Sequence, residues 1–292
     1  MIISQLIGGL GNQMFQYALG RAISLERDDS LQLDISGFTN YQLHQGFELN
    51  RIFKCRTEIA SRDNVSNILG WQSQYFIRRI LSRSNMSAFR SKNLVIEPHF
   101  NYWNDIKKMP HNCYLSGYWQ SEKYFLDYAK QIRKDFTFMR SMNVKNTRLV
   151  NQISQENAVS LHVRRGDYVN NPKTTATHGV CSLDYYRDAI SYIADNVSQP
   201  KFYIFSDDMD WVKSNLKMEF SHQYVDYNKG AESYNDMRLM SLCKHNIIAN
   251  SSFSWWGAWL NGNPHKIVIA PKNWFSVSSD TTDLIPNSWV RL

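Results

Sequence analysis

The sequence predicts an α/β protein of two Rossmann-like, doubly wound halves facing a cleft. The opening reads as strand, glycine turn, helix and strand, and in the second half four short apolar runs alternate with four segments of helical spacing. That alternation points to a parallel sheet with helices on its faces. A length of 292 residues with 43% hydrophobic residues supports two domains of roughly 150 residues each. The division is placed at 1–150 and 151–292.

Ile2 to Ile7 is the first strand, Gly8-Gly9-Leu10-Gly11 the turn, and Met14, Phe15, Ala18, Leu19, Ala22 and Leu25 the apolar face of the first helix. Leu31 to Ile35 is a second strand. Residues 60–95 are Ser- and Arg-rich without clear period. A helix starts near Ser121, carrying Tyr124, Phe125, Tyr128, Ile132 and Phe136 on one face. Thr137 to Asn157 reads either as linker or as a further helix. Beyond it, strands fall at 158–163, 201–205, 246–249 and 266–270. Helices fall at 182–195, 208–216, 232–243 and 254–261, the last stopped by Gly262.

Composition narrows the function. The net charge of +7 suits a phosphate-bearing ligand or an acidic surface, but the basic residues form no run of the kind that binds nucleic acid. Cys55, Cys113, Cys181 and Cys243 form no CxxC pair, so neither a zinc site nor a disulfide framework is expected. The N-terminal residues resemble neither a signal peptide nor a membrane anchor, and a cytoplasmic protein is expected.

Four segments carry chemistry. In Ser160-Leu161-His162-Val163-Arg164-Arg165-Gly166-Asp167-Tyr168, strand alternation puts His162 and Arg164 on one face, with the arginines at the strand end where such sheets hold ligands. Arg164 and Arg165 offer planar forks to phosphate, and an Arg–Asp ion pair holding the loop is the structural alternative. Gly8 to Gln13 lets a helix N-terminus approach an anion, with Gly9 and Gly11 giving the close approach and Asn12 following; a plain tight turn explains the glycines equally. As a dinucleotide fingerprint it has Asp34 near the ribose position but Met14 in place of the third glycine. Asp207 and Asp208 end a strand, where one of them caps the next helix. Asp208-Met209-Asp210 also spells a metal-binding D-x-D, discounted because Asp210 falls inside the helix.

Asp236 is polar on an apolar helix, facing either solvent or the N–H edge of a guanine. Ser251, Ser252 and Phe253 open a helix, where hydroxyls and amides serve as cap and as phosphate cradle together. Trp255, Trp256 and Trp259 read as core. Trp71, Trp103 and Trp119 are candidate stacking platforms for an acceptor sugar.

Gly8-Gly9-Leu10-Gly11-Asn12-Gln13-Met14-Phe15-Gln16, Ser116 to Phe125, His162 to Tyr168 and Asn250 to Gly257 together resemble, in order, the bacterial α-1,2-fucosyltransferases of glycosyltransferase family 11. The resemblance implies a GT-B-like fold, GDP-β-L-fucose as donor, inversion, no cofactor and no required metal. It further implies a galactose-terminated acceptor in a surface-polysaccharide precursor, and peripheral association with the cytoplasmic membrane face. By the same resemblance Arg164 binds the β-phosphate, His162 lies near the guanosine, Asp236 pairs with guanine, Ser252 or a neighbour touches phosphate, and Asn12 faces the reacting sugar. Asp167, His178 and Asp184 are the candidates for general base. A metal-dependent transferase, an NAD-dependent oxidoreductase and a non-catalytic glycan-binding module are the competing readings.

Overall fold

A computed structural model describes residues 1–39, 45–166, 179–276 and 280–292. The chain divides into two compact units, Met1–Met139 with Thr282–Leu284, and Arg140–Thr281 with Ile285–Leu292. The second unit thus begins ahead of the helix Val144–Gln155, inside which a division at 150 would fall. That stretch is a helix and not a linker, because Asn143 caps it by accepting from Asn146 N and Leu149 and Ile153 are buried. No helix of the described residues is long and apolar enough to cross a membrane.

In the first unit, β1 (Ile2–Gln5), β2 (Leu31–Asp34), β3 (Leu94–Ile96) and β4 (Cys113–Ser116) form a parallel sheet in the order β2-β1-β4-β3. Helix α1 (Leu10–Arg27) packs onto β1 and β2. Gly20 permits the close approach: a Cβ there would lie 2.7 Å from Leu31 Cδ1 and 3.2 Å from Ser4 Cβ. Residues 60–95, without period in sequence, form α2 (Arg62–Leu69) and α3 (Tyr75–Leu81) before β3. The helix expected from Ser121 breaks into two 3₁₀ turns before α4 (Ala129–Asp135).

In the second unit, α5 (Val144–Gln155), β5 (Asn157–Val163), α6 (Leu183–Asn196), β6 (Pro200–Ser206), α7 (Met209–Asn215), β7 (His222–Val225), α8 (Tyr234–Leu242), β8 (His245–Ile247), α9 (Ser252–Leu260), β9 (Val268–Ala270) and β10 (Val290–Arg291) follow in order. The six strands are parallel and run β10-β9-β8-β5-β6-β7. Val159, Leu161 and Val163 pack with α6 on one face, while Ala158, Tyr203 and Phe205 pack with α5 and α8 on the other. Both halves are therefore doubly wound, as expected.

Trp255 and Trp256 are fully buried and Trp259 nearly so, as their reading as core requires. Trp119, a candidate sugar platform, is also fully buried, edge-on to Tyr124, and cannot stack on a ligand. Asp34 is buried too: Arg78 reaches it at 3.1 Å, Tyr114 Oη donates to it at 2.6 Å and Ser36 N at 2.9 Å. Its oxygens are occupied by the scaffold, not presented to a ribose. Removing the guanidinium leaves a buried carboxylate without its counter-charge, so Arg78→Ala should destabilise the fold by about 3–5 kcal/mol. A urea midpoint within experimental error of the parent would refute that role.

Candidate functional site

In each sheet the chain leaves a central strand toward one edge and later returns on the other side. In the second unit this switch lies between β5 and β8, and in the first between β1 and β4. Side chains beyond the carboxyl ends of such strand pairs face a crevice suited to ligands.

In the second unit, β5 ends in His162-Val163 and runs into Arg164, Arg165 and Gly166. β6 ends beside it, in register with Val163 opposite Ser206, so that Asp207 falls against the loop. Asp207 accepts from Arg165 N at 2.9 Å and Gly166 N at 3.0 Å, and its carboxylate lies 3.1 Å from Arg164 Nη1. A Cβ on Gly166 would come 2.8 Å from Asp207 Oδ2, so the close clamp demands glycine. The Arg–Asp pair considered from the sequence thus exists and is made by Arg164 with Asp207.

Arg165 stacks its guanidinium 3.6 Å from the centre of the Trp211 ring, with Asp208 3.6 Å from its Nε. That packing gives Arg165 a structural role. Asp208 caps α7 through Trp211 N, and Asp210 sits in the exposed first turn.

His162 is buried, 6.0 Å ring to ring from Phe253, and its Nδ1 has no hydrogen-bond partner among the described residues. Burial pulls its pKa down to about 4, opposed by Asp207 and assisted by Arg164. An orphaned polar atom in a buried position suits a bound group more than a core. Across the switch, β8 leads through Asn250 to Ser251, which precedes α9 without making a side-chain cap. Ser252 and Phe253 are half-buried, and the first-turn amides lack the usual side-chain acceptor. An uncapped helix start of this kind suits an anion by geometry and dipole.

On α8, half-buried Asp236 accepts from Asn228 Nδ2 at 2.8 Å, and Asn228 exchanges amide hydrogen bonds with buried Asn146. Burial raises the Asp236 carboxyl to about 7, against the Asn228 hydrogen bond and the Lys229 charge. Asn228 was not singled out from the sequence; it follows β7, an edge strand with little apolar signal. Asp167 and His178 lie outside the described residues. Asp184, the remaining candidate base, is exposed on α6 and paired with Arg187 at 2.9 Å.

In the first unit, Gly8 has φ +78° and Gly9 precedes α1 without a side-chain cap. Asn12 Oδ1 accepts from Gln120 Nε2 at 2.7 Å. Two buried glutamines hold this edge: Gln13 donates to Gly8 O and Gly46 O, and Gln16 donates to Gly117 O while accepting from Ile7 N. Glu97, which sequence reasoning passed over, accepts from Tyr118 N at 2.7 Å and Trp119 N at 2.9 Å. Trp119 sits at φ +57°, a backbone region that bulky residues rarely adopt. Burial raises Glu97 to about 7, against those two donors.

The His162 shift has a stability consequence. An unfolded imidazole titrates near about 6.5 and the folded one near about 4, so the unfolded state binds the extra proton between them. The contribution is fully present above about 6.5 and lost as pH falls through 4. Urea midpoints should fall over this window, with a shallower fall in His162→Gln. An identical slope in the variant would contradict the assignment.

The Glycosyl transferase family 11 model matches residues 2–291. An α-1,2-colitosyltransferase of Escherichia coli is 38% identical, covering 100% of this chain and 99% of its own. The O-antigen biosynthesis glycosyltransferase WbnK of Escherichia coli is 36% identical, covering 99% of each chain. Human galactoside α-(1,2)-fucosyltransferase 1 is 26% identical over 51% of this chain and 43% of its own. Among solved structures, the α-1,6-fucosyltransferase NodZ soaked with GDP-fucose superposes with a TM-score of 0.54 at 14% identity, covering 92% of this chain and 94% of its own. That likeness establishes the GT-B-like α/β fold. With a family model spanning nearly its whole length, the chain belongs to glycosyltransferase family 11.

Proposed function

We propose that this glycosyltransferase moves L-fucose from GDP-β-L-fucose, with inversion, to O2 of a terminal galactose in an oligosaccharide or surface-polysaccharide precursor. The observation that carries the proposal is the second unit's switch point. There Arg164 stands across from the uncapped start of α9, close to a buried histidine with an orphaned nitrogen. Asp236, on α8 of the same unit, supplies an acceptor for a guanine.

In the proposed reaction the acceptor hydroxyl gives its proton to a general base and attacks the fucose anomeric carbon as the bond from that carbon to the β-phosphate oxygen breaks. Negative charge grows on the leaving diphosphate. A fixed guanidinium and helix amides stabilise that charge more in the transition state than in the ground state. Asp207 pre-orients Arg164, and an arriving phosphate competes for the same cation. His162, neutral at physiological pH, hydrogen-bonds the nucleotide without adding charge. Ser251, Ser252 and Phe253 cradle phosphate. The reaction as proposed needs no metal.

A second reading is favoured by the colitosyltransferase relative, whose sugar is L-fucose without the 3-hydroxyl. The two readings separate by an asymmetry of recognition. A site that hydrogen-bonds a hydroxyl rejects the deoxy analogue by about 10⁴–10⁵, whereas a site shaped for the deoxy sugar rejects the hydroxylated one by only about 10². Turnover of GDP-fucose far above GDP-colitose with lactose as acceptor supports fucose. GDP-colitose preferred by about 10² would replace it.

Three further outcomes test the mechanism. Arg164→Ala should lower kcat by about 10²–10³, and activity within a few fold of the parent would defeat the phosphate role. Product formation should be unchanged by EDTA, and loss that added divalent cation restores would overturn metal independence. The guanine edge offers two N–H donors, so the ionised Asp236 carboxylate is the binding form. With that carboxyl raised to about 7, GDP affinity should climb from about pH 6 to about pH 8 and then level. Calorimetry on Asp236→Asn should show weaker binding at the high end and no such climb; an unchanged pH profile would remove Asp236 from the site.

A further inference from the structure

We propose that the surface formed by residues 71–92 of the first unit is a docking face for an anionic lipid bilayer. Four large aromatics stand out of the protein there: Trp71 is 65% exposed, Tyr75 53%, Phe76 70% and Phe89 63%. Soluble monomers seldom display such a group without a use for it. These residues are held together. Buried Gln72 donates to Phe89 O at 3.0 Å and accepts from Ser91 N at 3.0 Å, fastening the Trp71 turn to the Phe89 turn. Between the two turns runs α3, which buries Arg78 and Leu81 and leaves Tyr75, Phe76 and Arg79 exposed. Arg79 follows Tyr75 by four residues and Phe76 by three, so cation and rings share one face.

The charge of the segment selects the occupant. From Asn64 to Ile96 the sequence has five basic residues (Arg78, Arg79, Arg83, Arg90 and Lys92) and no Asp or Glu. Arg78 turns inward to Asp34. Arg79, Arg83 and Lys92 are exposed, and no ion pair to a carboxylate is found for them among the described residues. Arg90 donates to the carbonyls of Leu81, Ser82 and Arg83, which leaves its positive charge uncancelled. Rings that sit at headgroup depth beside arginines that pair with lipid phosphates are the composition an anionic interface takes up. A second copy of the chain fits poorly, since a two-fold contact would bring this carboxylate-free, cationic face against itself.

The test is co-sedimentation with vesicles of phosphatidylethanolamine and phosphatidylglycerol, and with phosphatidylcholine alone, alongside turnover of the GDP-sugar on a soluble galactoside. The protein should pellet with the anionic vesicles only, and less as salt rises. Arg79→Ala with Arg83→Ala should weaken the partition about 25-fold, at about fivefold per arginine. The triple variant Tyr75→Ser, Phe76→Ser, Phe89→Ser should weaken it at least about tenfold. Both variants should keep the parent's circular dichroism and soluble-acceptor turnover. Failure of the parent to pellet, or pelleting of the variants like the parent, overturns the docking face. So does a parent that self-associates in the ultracentrifuge through this patch with no lipid binding. Pelleting without any GDP-sugar turnover would leave the docking face standing and sink the donor reading instead.

Discussion

One carboxylate, Asp207, fixes the second unit's edge beyond the end of β5. It reaches the two backbone amides of Arg165 and Gly166 and the guanidinium of Arg164 because β5 and β6 are parallel and end in register. Hydrogen bonds to a charged acceptor contribute about 1.5–3 kcal/mol each, enough to order a short loop. Gly166 follows from this arrangement, since any side chain there would meet the carboxylate. The same clamp holds Arg164 at the strand end, 3.1 Å from its counter-charge. Asp207 also opposes the downward shift of His162, tying the histidine's electrostatics to the loop.

The second half was legible in the sequence because its strands are central and apolar. β5 and β6 lie inside the sheet, so Val159, Leu161, Val163, Phe202 and Ile204 leave a clear hydrophobic trace. β7 and β10 went unread because they are edges, half-exposed and polar enough to pass for loop. In the first half, β3 and β4, of three and four residues, also went unread. The Arg-rich stretch before them looked structureless because Arg78 is a core residue, stacked 4.7 Å over Tyr114 and ion-paired to Asp34. A buried arginine defeats any reading that equates charge with surface.

The site shows the same division. His162, Arg164, Asp236 and the start of α9 drew notice because they follow strands or stand out on apolar helices. Arg165 and Asp34 carried the same signal for a different reason, since a guanidinium on an indole and a carboxylate in a core look alike in one dimension. Asn228, Glu97 and Gln120 were missed because nothing local marks them; their partners are 8, 21 and 108 residues away.

The first unit's edge carries a lesson of its own about where polar residues are placed. Asn12, Gln13, Gln16, Glu97 and Gln120 all direct their amides or carboxylates into backbone or one another around Gly8 and Gly117. A Cβ at either glycine would meet side-chain atoms at 2.6 and 2.4 Å, so the edge is packed to its limit. Trp119, forced to positive φ, is held there by Glu97 through its amide and by full burial of its ring. Strain of about 1–3 kcal/mol persists only where the surroundings over-determine it. A turn this constrained, beyond the end of a central strand, leaves the neighbouring Tyr118 42% exposed. The buried amides are the scaffold, and Tyr118 is the side chain they leave outside.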